Sequence, residues 1–289
     1  MKSKSGGFAV VIGGILLLVF LIWQGTVIIN SRVAEELFRN AKEKYSRKDY
    51  RGAIADFNDV ISRKPDDAEA YRNRGDAKFK LRDYQGAISD YNEAIRLDPN
   101  SAPAYNSRGL VKVELGDKRG AIADFDEAIR RRPDYAEAYL NSGNLKYSSG
   151  DIEEAITDYN QAIRFKPDFA EVYEKRGRAR AELSNKQGAI ADFNEAIRFN
   201  PEETYLYWLR GSLKDELGDK QGAIADYTQL IRLNPDDADA YYKRGLIRQQ
   251  RGEKEEALAD FRKAAELFQI QGNTELYNKS LNKIRELGG

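Results

Sequence analysis

No cysteine and no histidine occur in the 289 residues of this chain. The first absence excludes disulfides, thiolate metal ligands, a cysteine nucleophile and a lipid-modified cysteine anchor. The second removes imidazole ligands and the side chain most often used as a general base near neutral pH. The redox compartment is left open. An excess of charge of either sign is also missing. The 47 Lys and Arg balance the 47 Asp and Glu, so the total provides no long-range attraction to nucleic acid or to acidic surfaces. Proline is scarce, and its placement is informative. Six of the seven prolines (Pro65, Pro99, Pro133, Pro167, Pro201 and Pro235) follow one another at intervals of 34 residues, and only Pro103 stands outside the series.

A fixed interval of this length marks an internal repeat. With Ala102 as position 1, repeats start at Ala34, Ala68, Ala102, Ala136, Ala170, Thr204 and Ala238. Position 20 is Ala in all seven, from Ala53 to Ala257, and position 24 is aromatic in all seven: Phe57, Tyr91, Phe125, Tyr159, Phe193, Tyr227 and Phe261. Position 8 is Gly in six. A glycine inside a helix costs about 1 kcal/mol against alanine, so its recurrence predicts a close approach of two helices. Each repeat reads as helix A from about position 2 to 14, a turn such as Gly116-Asp117, and helix B to about position 30. Apolar positions 20, 21, 24 and 27 form the buried stripe of helix B, and proline at position 32 closes it. The seventh repeat has Gln269 in place of that proline.

This period, with small residues at 8, 20 and 27, an aromatic at 24 and proline at 32, resembles the tetratricopeptide repeat family. The resemblance implies an all-α fold, a right-handed superhelical solenoid of seven helix-turn-helix units over residues 34–271. A capping helix over 272–289 should start at Asn273 or Thr274, with Tyr277, Leu281 and Ile284 on one face. Position 4, commonly Trp in the family, is Tyr here from the second repeat on, as in Tyr105 and Tyr207. Position 7 is Arg in five repeats, and position 11 is always Lys or Arg.

Ahead of the repeats, Ser5 to Ser31 contains no charged residue, and residues 8–29 are broken only by Gln24 and Thr26. Twenty-two helical residues span about 33 Å, enough for a hydrocarbon core of about 30 Å. Residues 8–29 are therefore expected to form an uncleaved transmembrane helix after a short basic tail (1–7) and before a linker (30–33). A cleaved signal peptide is the alternative, since Lys2 and Lys4 supply a basic start. The stretch is longer than such peptides need, and no clear cleavage site follows. The expected location is a membrane, single-pass. Flanking charges do not fix the orientation, though the short basic tail favours repeats outside the cytoplasm.

No nucleophile elbow, phosphate loop or metal-ligand cluster is present, so no enzyme, cofactor or metal is expected. Asp recurs at position 23 in all seven repeats, from Asp56 to Asp260, as a structural device does. Arg108 and Asp124 lie eight residues either side of Gly116, so the basic row should face this acidic row across the helix pair. Internal pairing then leaves little positive field for nucleic acid.

By family resemblance, helix A positions 2, 5, 6, 9, 12 and 13 line a concave groove. Most are polar here, including Asn141 and Asn144. The sixth repeat differs, with Tyr205, Trp208 and Leu209, followed by Tyr242 and Leu246 in the seventh. Aromatic anchors concentrate binding energy, and these seven residues are the expected protein- or peptide-binding set. The family's carboxylate clamp for chaperone tails is not matched in any window. The expected function is a membrane-anchored scaffold that binds a protein or peptide segment in its groove to recruit or assemble other proteins. Self-association through the anchor and the solenoid edges, without a separate ligand, is the alternative. No nucleic-acid, small-molecule or metal partner is expected.

Overall fold

The structure, a computed structural model, describes residues 30–288. The apolar segment 8–29, and with it the expected membrane helix, lies outside the described residues. Among the described residues no helix is long and apolar enough to cross a membrane.

Fifteen helices and no strand form the described residues. They are α1 (30–46), α2 (Tyr50–Arg63), α3 (Ala68–Lys80), α4 (Tyr84–Leu97), α5 (Ala102–Glu114), α6 (Lys118–Arg131), α7 (Ala136–Ser149), α8 (Ile152–Phe165), α9 (Ala170–Glu182), α10 (Lys186–Phe199), α11 (Thr204–Glu216), α12 (Lys220–Leu233), α13 (Ala238–Gln250), α14 (Lys254–Ile270) and α15 (Thr274–Glu286). The first helix already includes residues 30–33, which the sequence assigned to a linker. No proline or glycine lies between Asn30 and Ala34 to break it. The chain forms two compact units that divide after Pro133, and in each of them consecutive helices pair as helix–turn–helix hairpins.

The helix ends follow from particular residues. Between helices A and B the chain needs one left-handed residue. Gly116, Gly150, Gly218 and Gly252 supply it with φ of 79°, 91°, 82° and 79°, while Lys48, Arg82 and Ser184 adopt it without being glycine. Helix B then starts on an Asp or Asn cap. Asp49, Asp83, Asp117, Asn185 and Asp219 each accept a hydrogen bond from the backbone N–H of a glycine three residues on. A Cβ on Gly120 would lie 2.1 Å from Asp117 Oδ2, so glycine at the third following position lets the capping carboxylate sit close over the first turn, although Asp67 and Asp237 make the same bond to Ala70 and Ala240 at the start of helix A. In the two repeats where that position is Glu154 or Glu256, the side chains of the cap residues Asp151 and Glu253 make no capping hydrogen bond.

Proline at position 32 ends most B helices at 14 residues. With Gln269 there instead, α14 runs for 17, because nothing removes the next N–H or clashes with the preceding turn. Its extra residues add Phe268 to a cluster with Leu267, Tyr241, Tyr242, Leu276 and Tyr277. The closing helix α15 is capped by Asn273, whose Oδ1 accepts from Leu276 N–H at 3.1 Å. Its only buried residue is Ser280, which the sequence reading left out of the packed face. The hydroxyl donates to the Leu276 carbonyl at 2.9 Å and so adds no unpaired polar group.

The recurrent glycine at position 8 has the reason the sequence implied. A Cβ on Gly109 would lie 2.7 and 2.9 Å from ring carbons of Phe125, and one on Gly75 would lie 2.8 Å from the Tyr91 ring. Gly211 is roomier, the nearest atom being Asp226 Cβ at 3.2 Å and the Tyr227 ring lying at 3.5 Å. Gly109→Ala is therefore expected to destabilise. Overpacking costs typically about 1 to 3 kcal/mol, which outweighs or cancels the gain in helix propensity of about 1 kcal/mol. Gly211→Ala, which gains the same propensity against a smaller clash, should be near neutral or stabilising. Chemical denaturation of the two variants checks this, and a larger loss at Gly211 would show that ring contact is not why glycine recurs.

Candidate protein-binding site

The basic rows have partners inside the fold. Arg108 donates to Asp124 through Nε to Oδ2 at 2.9 Å and through Nη2 to Oδ1 at 2.6 Å, and Lys112 Nζ lies 2.7 Å from Oδ2. The same fork joins Arg74 to Asp90, Arg176 to Asp192, Arg210 to Asp226 and Arg244 to Asp260. The third guanidinium nitrogen reaches back one repeat, from Arg74 to Asn58 at 2.7 Å and from Arg176 to Asn160 at 2.6 Å. Each Arg thus ties its own helix pair together and clips it to the preceding one. In the fourth repeat Ser142 replaces the Arg, and its hydroxyl donates to Asp158 at 2.6 Å beside Lys146. These Asp residues are buried, Asp124 being 3% exposed, so the ladder belongs to the interior and is not a surface ion-pair set.

A second internal pairing accounts for several polar residues on helix A. Where position 24 is Tyr, its hydroxyl emerges next to position 9. Tyr91 donates to Asp76 at 2.7 Å, Tyr159 donates to Asn144 Oδ1 at 2.9 Å, and Tyr227 hydrogen-bonds the Ser212 side chain. Where position 24 is Phe, position 9 is Lys42, Leu110, Arg178 or Leu246. Asn144, expected to face a ligand, therefore gives its carbonyl oxygen to the core tyrosine. Burial raises the Tyr91 and Tyr159 hydroxyl pKa values, in both cases ahead of the effect of neighbouring negative charge. The sequence carried this signal, since Tyr at 24 coincides with Asp, Asn or Ser at 9.

Of the expected binding residues, the fold gathers three on α11. Tyr205 is 38% exposed, and Trp208 and Leu209 are half-buried. Trp208 stacks edge-to-face on Tyr227 with centroids 5.4 Å apart, and Lys243 Nζ lies 5.9 Å from its ring. Trp208, Leu209 and Leu213 face Ala181 and Phe193 across an open pocket of about 190 Å³. Tyr242 packs instead toward the C-terminal cluster, edge-to-face with Phe261 and Phe268 at 5.7 and 6.4 Å. Leu246 and Asn141 are half-buried on α13 and α7.

A neighbouring group did not figure in the sequence-based set. Glu174 on α9 is 8% exposed. It accepts from the Tyr205 hydroxyl at 2.6 Å and from Arg178 Nε at 2.7 Å, and the Arg178 guanidinium lies 5.6 Å from the Tyr205 ring. Burial, and then the hydrogen bond to Glu174, raise the Tyr205 pKa. The tyrosine is thus held in place by residues 31 and 27 positions earlier, one repeat back.

The face can do recognition chemistry: an apolar pocket with a rigid indole on one wall, beside fixed charged and hydroxyl groups. Tetratricopeptide repeat profiles match residues 38–102, 102–135, 170–203 and 238–270, and a TPR repeat profile matches 143–184 and 216–252. No curated protein matches the chain in sequence. Among solved structures, the C-terminal part of a TPR repeat-containing protein from Cytophaga hutchinsonii superposes with a TM-score of 0.69 at 18% identity, covering 86% of this chain and 99% of that one. PilW, a widely conserved type IV pilus biogenesis factor, gives 0.61 at 22% identity over 70% and 94% of the two chains. YrrB, a TPR protein with an unusual peptide-binding site, gives 0.58 at 21% identity over 66% and 97%. With its 34-residue helix pairs, its glycine-on-aromatic contacts and profile matches across most of its length, this chain belongs to the tetratricopeptide repeat family.

Proposed function

We propose that this protein is a non-catalytic scaffold that holds a protein or peptide segment against the face of α9 and α11 around Trp208. The observation that carries the reading is the contrast on its surface. The basic rows are consumed internally and polar positions serve core tyrosines, yet Tyr205, Trp208 and Leu209 leave apolar area beside an open pocket. Exposed aromatic and aliphatic side chains at a concavity are where partners deposit binding energy. Likeness to YrrB and PilW supports the fold and is consistent with a protein ligand. Photo-crosslinking tests the reading directly. A benzophenone amino acid at Ser212, beside the pocket, should trap one polypeptide in the cell that makes the protein, whereas the same group at exposed Glu154 on α8 should not. Equal or absent crosslinking at the two positions would remove the support.

Residues 8–29 anchor this scaffold to a membrane in the same proposal, on their length and lack of charge. Full-length protein is expected to stay in the pellet after a carbonate wash, and a chain lacking residues 1–30 is expected in the supernatant with its helical circular-dichroism spectrum unchanged. A truncated chain that still pelleted after carbonate would refute the anchor.

A further inference from the structure

We infer that the α9–α11 face takes a segment bearing a cationic side chain close to an aliphatic or aromatic one. This rests on the reading of that face as a binding surface and adds the chemistry of the partner. Beside the apolar pocket of Trp208, Leu209, Ala181 and Phe193 lies a second depression of about 290 Å³, lined by Glu171, Glu174, Glu203, Asn200 and Tyr205. The two are neighbours, because Glu174 lines one, Arg178 lines the other, and the two side chains are hydrogen-bonded at 2.7 Å. The Glu174 charge is met by Arg178 and, at 3.9 Å, by Lys175. Glu171 and Glu203 are exposed and have no cation within ion-pair distance among the described residues. In a molecule of zero net charge whose Arg and Lys rows are matched by Asp, these are negative charges left over at the edge of an apolar pocket.

Such a pair of pockets is complementary to one ligand pattern. Apolar contact fills the Trp208 side, and an ammonium or guanidinium meets Glu171 and Glu203, where the Asn200 and Tyr205 side chains also stand. The described carboxylates form no group suited to a metal ion, which favours a larger organic cation. Glu174 and Arg178 are four residues apart, about 6.0 Å along α9. In an extended segment, side chains two residues apart share a face and are separated by about 6.6 Å. The pattern is therefore Lys or Arg, any residue, then Leu, Ile, Met or Phe, in either direction. Lys243, 5.9 Å from the Trp208 ring, disfavours a second cation against the indole.

A displayed library of random twelve-residue peptides, selected on the full-length chain and counter-selected on Trp208→Ala, tests this. Clones that depend on Trp208 should be enriched in Lys or Arg within two residues of a large apolar residue. Their affinity should fall at least about fivefold on the Glu171→Gln/Glu203→Gln double variant and weaken with added salt. Both glutamates are exposed, so that variant should keep the parent's melting curve. Trp208-dependent clones without basic enrichment, or with affinity unchanged on the double Gln variant, would overturn this inference and leave the groove reading standing. No Trp208-dependent clone at all would overturn both.

Discussion

Asp124→Asn is expected to destabilise the protein by about 2 to 4 kcal/mol. Removing one partner of a buried ion pair typically costs about 3 to 5 kcal/mol, because the remaining charge is stranded, whereas exposed pairs are worth about 0.2 to 1 kcal/mol. The Asp124 side chain is 5% exposed, with Arg108 at 18% and Lys112 at 22%, so the cations keep some water and the cost sits below the fully buried range. The amide oxygen can accept at most two of the three bonds that the carboxylate accepts, and the neutral side chain leaves two positive charges uncompensated. A double-mutant cycle with Arg108→Met should give a coupling above about 1.5 kcal/mol, since the second change removes one of the stranded charges. The exposed Glu93 and Arg96 pair, also within hydrogen-bond distance at 2.6 Å, provides the control and should show no comparable loss. Strict additivity at 108 and 124, measured by urea denaturation, would mean that the ladder does not hold the repeats together.

The second large effect concerns Trp208. With Trp23→Phe in the full chain, Trp208 becomes the only tryptophan, and its fluorescence reports one site. Half-buried against Tyr227, it should emit between the fully exposed and fully buried limits, and acrylamide should quench it. Binding of a partner segment should shift emission to the blue and remove most of the quenching. Trp208→Ala is expected to weaken that binding by about 2 kcal/mol or more, as for an interface hot spot. It should cost stability less than the roughly 3 to 5 kcal/mol of a fully buried tryptophan, because the side chain is only half-buried. Unquenchable blue emission in the free protein, together with a loss of stability in the full core range, would make Trp208 an interior residue and end its role in recognition.

The 34-residue spacing of six prolines, continued by Ala257 and Phe261 in the seventh repeat, determined how many helix pairs there are and where most B helices stop. Gln269 marked the one that runs on. Glycine at position 8 against an aromatic at 24 declared a close contact, because a helix interior admits glycine only where something returns its cost. The facing of the Arg and Asp rows was also legible, since equal distances from one turn put residues level on antiparallel helices. How deeply the ladder is buried was not legible. Burial of Asp124 depends on how neighbouring repeats stack, and that stacking turns a surface-scale pair into an interior one. The same holds for the site. Apolar Tyr205, Trp208 and Leu209 stood out on α11 because their neighbours are polar, but the sequence could not separate Tyr242 from them or attach Glu174 to Tyr205. Tyr242 meets Phe268 inside its own helix pair, on the residues by which α14 runs on. Glu174 and Tyr205 lie 31 residues apart, and only the packing of one helix pair on the next brings them within hydrogen-bond contact; periodicity within a single helix carries no information about which side chains meet across that seam.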